Sequence, residues 1–75
     1  MAETLLTIRA EIAAAIWQIM APAGTSLAED EPIIILESMK MEIPISAPQA
    51  GMVVEILVTE GQQVEEGQAV ATFRT

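Results

Sequence analysis

The 75-residue chain has no cysteine, histidine or tyrosine, and only one tryptophan, one phenylalanine and one lysine. The usual general bases, soft metal ligands and thiol nucleophiles are therefore missing, which disfavours an enzyme acting alone. Without cysteine there is no disulfide framework, in keeping with a reducing compartment. Cations are scarce: Arg9, Lys40 and Arg74 stand against 11 acidic residues, for a net charge of −8. Phosphate contacts need clustered Lys and Arg, so nucleic acid is a poor partner and protein a better one. A basic leader is also missing from "MAETLLT", and the longest uncharged run, Ile12 to Ala28, is broken by Gln18, Pro22 and Gly24. No membrane span is expected, and a soluble cytoplasmic protein is the default.

What remains is aliphatic. Hydrophobic residues make up 52% of the chain, and with two aromatics the core must be built from Ile, Val, Leu, Ala and Met. A chain this short makes one small domain, residues 1–75, burying about 60% of its unfolded surface. At the N-terminus, Leu5, Ile8, Ile12, Ile16 and Ile19 recur at helical spacing among alanines, and local periodicity alone reads as helix.

An internal repeat argues otherwise. A shift of 37 residues places Ile8 on Ile45, Ala10 on Ala47, Gly24 on Gly61, Ile33 on Val70 and Leu36 on Phe73, defining copies at about 8–36 and 45–73. The second copy reads as strands: Met52 to Val58 is rich in Val and Ile, and Gly51, Gly61 and Gly67 mark turns that call for positive φ. By analogy Ala15 to Met20 is a strand, with tertiary context overriding alanine's helix preference. Ala14, standing opposite Gly51 in the repeat, puts the first-copy turn in question. Two halves with one face each to bury predict an all-β fold: a sandwich or flattened barrel with quasi-two-fold symmetry.

Between the copies lies "IIILESMKMEIPI", two apolar strands joined through Met39-Lys40. In a two-residue turn Ser38 faces Met41 and Glu37 faces Glu42. Asn-Gly is the favoured pair for such a turn, and opposed glutamates carry a small penalty, so folding alone does not explain these residues. A lysine at a hairpin tip offers a mobile amine for acylation. Ordinary lysine amines are protonated at neutral pH, so the reaction needs an activated donor and an enzyme.

"ESMKMEIP" between two halves of this kind resembles the biotinyl domain of biotin carboxyl carrier proteins and small biotin/lipoyl attachment proteins. The resemblance covers nearly the whole chain, and Met-Lys-Met is its most specific element. It implies two antiparallel four-stranded sheets in a barrel-sandwich hybrid, with biotin joined to Lys40 by a biotin protein ligase. Met39 and Met41 correspond to methionines that matter for ligase recognition and for correct carboxylation, and Glu37 to the acidic residue opening the motif. Ser38 stands where alanine is usual, and Glu42 completes the recognition stretch. Pro48 and Gly51 match the start of the second half. No segment separates Gly24 from Ile33 that could form the protruding thumb of some bacterial carriers, and their long N-terminal extension has no counterpart.

The implied function is a non-catalytic carrier of acyl-CoA carboxylase type. A biotin carboxylase, using ATP, Mg²⁺ and bicarbonate, loads a carboxyl group on the cofactor, and a carboxyltransferase passes it on. The acceptor, whether acetyl-CoA, another acyl-CoA, urea or a keto acid, is not specified by the residues. Two alternatives remain. A lipoyl domain shares the fold but has a motif closer to "ETDKA", and an unmodified β-sandwich would serve protein interaction only. Elsewhere, Glu29-Asp30-Glu31 reads as a solvated turn rather than a cation site, because consecutive oxygens lack loop spacing. Trp17 reads as a core or edge packing residue. Glu37 and Glu42 could pair as catalytic carboxylates only within a cleft, which nothing in the pattern supplies.

Overall fold

The computed structural model describes residues 4–75. Eight strands follow in order: β1 (Leu5–Arg9), β2 (Ala14–Ile19), β3 (Ser26–Leu27), β4 (Pro32–Ser38), β5 (Met41–Ser46), β6 (Gly51–Ile56), β7 (Gln63–Val64) and β8 (Ala69–Arg74). They form two four-stranded antiparallel sheets, ordered β1-β8-β6-β3 and β5-β4-β2-β7. The sheets stay separate, so the molecule is a flattened sandwich and not a closed barrel. Only four residues, Ala28 to Glu31, link β3 to β4, which leaves no room for a thumb.

The helical periodicity of the N-terminus is resolved by a bend. Ile8 on β1 and Ile16 on β2 are buried, but Ile12 lies in the connection between them and is 37% exposed. Burying Ala10 and Ala14 at either end of that bend uses small side chains where the chain crosses from one sheet to the other. Of the apolar stripe, Ile8, Ile16 and Ile19 thus reach the core from two strands in different sheets, while Leu5 is left 67% exposed. No described residue is helical.

The core pairs residues 37 apart. Ile8 and Ile45, Ala10 and Ala47, Ile16 and Val53, Ala21 and Val58, Ile33 and Val70, Ile34 and Ala71, and Leu36 and Phe73 are all buried. Backbone bonds follow the same offset. Gly24 N donates to Val53 O at 2.7 Å and Gly61 N to Ile16 O at 2.7 Å, so each turn is tied to a strand of the other half. Asp30 N to Ala47 O (2.9 Å) and Gly67 N to Ala10 O (2.8 Å) form a second such pair. Asp30 takes the left-handed conformation that Gly67 takes, with φ of 73° and 84°; aspartate tolerates this region better than most residues.

Gly51 plays a different part from the turn role expected of it. It lies in β6, paired with Leu27, and its φ is not among the positive ones. A Cβ there would collide with the carbonyl oxygen of Arg74 and lie 2.7 Å from the Phe73 ring. At the site related by the repeat stands Ala14, paired with Val64. Ala14 is buried at the start of β2, so the first half accommodates a Cβ at this position.

Candidate functional site

The β4–β5 hairpin carries every residue singled out by its motif. Its strands are held by β-branched Ile33, Ile34 and Ile35 and by the buried Leu36, which is paired with Ile43 two steps from the tip. Beyond this anchor the register runs Glu37 to Glu42 and Ser38 to Met41, leaving Met39 and Lys40 as the two central turn residues. Their φ angles are 52° and 66°. Positive φ at both positions is the geometry of a type I′ turn, which matches the twist of a two-residue hairpin and favours Asn-Gly. Two side-chain-bearing residues in that conformation cost roughly 1–2 kcal/mol each, so stability does not select them.

The tip is open on all sides. Met39 is 92% exposed and Met41 63%, while Lys40, Glu37 and Glu42 are exposed and Ser38 is half-buried. Among the described residues, none holds the Lys40 ammonium in a hydrogen bond or ion pair. A group joined as an amide to a lysine needs an amine that a second protein can reach. Lys40 meets that requirement, and it is the only lysine in the chain. Glu37 and Glu42 lie side by side across the strands on the open face, where no wall of protein surrounds them.

Other features lie away from the tip. The sandwich opens into a groove beside β1 and β5, lined in part by Leu6, Ile8, Arg9, Ile45 and Pro48, and none of the motif residues borders it. In the acidic turn, Glu31 Oε1 accepts from Ala28 N at 2.7 Å, so one of its carboxylates caps the backbone. Glu65 and Gln68 repeat the arrangement at 2.9 Å. Among the described residues, no cluster of His, Cys, Asp or Glu is arranged to hold a metal ion, and no helix is long and apolar enough to cross a membrane.

Sequence reasoning did not find the surface that runs back from the tip. Trp17, expected as a packing residue, is 46% exposed at a bulge in β2. Next to it Gln18 pairs with Ile35, which pairs with Pro44, placing two apolar residues in one row across the open face. The register of Ile35 with Pro44 follows from the two-residue turn. The position of Trp17 does not, because it depends on the bulge between Ile16 and Gln18.

Comparison with known proteins gives a consistent result. A family model described as biotin-requiring enzyme matches residues 7–73. The chain is 40% identical to a biotin/lipoyl attachment protein of Bacillus subtilis, over 83% of this chain and 85% of that protein. Its fold matches part of a single-chain, multi-domain long-chain acyl-CoA carboxylase with a TM-score of 0.87 and 33% identity, covering 92% of this chain and 7% of that one. It matches Kluyveromyces lactis urea carboxylase with a TM-score of 0.88 and 30% identity, covering 93% of this chain and 6% of that one.

Proposed function

This chain belongs to the biotin/lipoyl attachment family of biotin-requiring enzymes, and from that membership we propose that it is a biotin carrier domain with Lys40 as the point of covalent attachment. The observation that carries the assignment is the sole lysine of the chain, with no partner among the described residues, at a type I′ tip whose residues are poor choices for stability. Bound biotin supplies a ureido nitrogen able to accept and release a carboxyl group. The protein's part is to hold the attachment point at the end of a paired hairpin and keep it exposed, so that ligase, carboxylase and carboxyltransferase can each reach it. Met39 and Met41 give these partners apolar contact area, and Glu37, Ser38 and Glu42 fix the polar edge of the same surface. The hydrogen bonds repeated at an offset of 37 support reading about 8–36 and 45–73 as two copies of one repeat within a single domain.

The reaction served is a carboxyl shuttle between a biotin carboxylase and a carboxyltransferase. The two carboxylases of similar fold differ in what they carboxylate, so the domain's shape does not select the acceptor. Offering acyl-CoA, urea and keto-acid acceptors to the assembled enzyme identifies which of them is used, and turnover of acyl-CoA alone is the outcome that fits the acyl-CoA carboxylase type. Attachment is tested by co-expression with a biotin protein ligase and intact-mass measurement. The parent protein should gain one biotin, and Lys40→Arg should gain none while melting at the same temperature. Biotin on the Lys40→Arg protein would refute the site, and a lipoyl mass in place of biotin would refute the cofactor.

A further inference from the structure

The tip places its two thioethers in unusual positions. Methionine in a small aliphatic protein ordinarily fills gaps in the core. Met39 instead has 92% of its surface in water and Met41 63%, on either side of the Lys40 amine. The other described methionines are more sheltered: Met20 is 47% exposed, and Met52 is half-buried in β6, paired with Ser26 and Arg74. A thioether must be reached by its oxidant, so the sulfurs at the tip should react first.

We propose that Met39 and Met41 form a peroxide-sensitive modification site, and that their oxidation to sulfoxides slows attachment at Lys40. A sulfur lone pair attacks one oxygen of a hydroperoxide, an S–O bond forms as the O–O bond breaks, and the other oxygen leaves as water or alcohol after taking up a proton. The thioether is oxidised by two electrons and the peroxide is reduced by two. Each apolar side chain thereby gains a strongly polar oxygen. No hydrogen-bond donor at the tip engages either sulfur, so the folded domain does not resist the change. The consequence falls on whatever protein closes over the tip: a surface shaped to bury two thioethers must now desolvate two S=O groups. The inference rests on Lys40 being the attachment point, and it adds a reversible brake on that step, since sulfoxides are substrates for reductases.

The test uses the apo protein with hydrogen peroxide as the oxidant. Peptide mass mapping should show the oxygen gained at Met39 and Met41 before Met20 and Met52. The rate of biotin transfer by the ligase, compared before and after treatment, should fall about tenfold, the effect of losing one well-buried apolar contact. Methionine sulfoxide reductase should restore it. In the Met39→Leu/Met41→Leu protein, the ratio of treated to untreated rates should stay near one, whatever its starting rate. Oxidation of Met20 first, an unchanged rate despite full oxidation of the tip, or an equal loss in the leucine variant would each overturn the proposal. Failure of the attachment reading itself shows separately, as untreated protein that takes no biotin on Lys40.

Discussion

Lys40 and Gly51 show opposite relations between a residue and its backbone. At Lys40 the conformation suits asparagine or glycine, yet a lysine follows a methionine there, both with positive φ. Here the side chain matters more than the local strain. At Gly51 the conformation is ordinary, and the missing Cβ is required by the Arg74 carbonyl and the Phe73 ring. A backbone oxygen cannot move aside by rotating a bond, so Gly51→Ala must shift β6 against β8. Overpacking of this kind costs about 1–3 kcal/mol, and each kcal/mol lowers the Tm of a domain this size by about 4–8 °C. Thermal unfolding of Gly51→Ala followed by circular dichroism should show that loss. A Tm equal to the parent's would mean that β6 has room the structure denies it.

At the scale of elements, the fold was legible where the two halves could be compared. Ala15 to Met20 could be read as a strand only through its likeness to the Val-rich second copy, and the strand runs from Ala14 to Ile19. The tip at Met39-Lys40 was legible because a two-residue turn fixes which residues face each other. The exposure of Trp17 was not, because no residue type marks the register shift between Ile16 and Gln18, or the matching one between Val53 and Glu55. The reason for Gly51 was likewise hidden, since Arg74 lies 23 positions further along the chain. Edge strands carry a further element-level argument. β5 ends its sheet and contains Pro44, which cannot donate to an added strand, whereas the related position on β1 is Thr7. Proline on an edge guards against pairing with another chain. Pro44→Val should therefore raise self-association, seen as a dimer fraction that grows with concentration in light scattering at moderate salt. A variant as monomeric as the parent under the same conditions would show that Pro44 has no guarding role.

The whole molecule extends 42 × 18 × 17 Å, and its two-fold relation places the Lys40 tip opposite the Thr4–Thr75 pair that closes the other end. If Lys40 is the attachment point proposed above, it stands at one extremity, and every partner must reach it through the same small surface. Area at such a tip is limited, so encounter must be helped by longer-ranged forces. A net charge of −8 on so small a body supplies them if the partner's docking site is basic. Glu37 and Glu42 beside the tip would focus the attraction where contact begins, and other acids such as Glu11, Glu65 and Glu66 add to the field over the rest of the surface. Screening sets a sharp expectation, because the Debye length falls from about 30 Å at 0.01 M salt to about 3 Å at 1 M. The association rate of the biotinylated domain with its carboxylase, measured by stopped flow, should fall at least about tenfold across that range, while the dissociation rate changes much less. Glu37→Gln/Glu42→Gln should reproduce part of the loss at low salt and flatten the salt dependence. An association rate indifferent to salt would remove electrostatic steering from the account and leave docking to the methionines and the apolar row behind them.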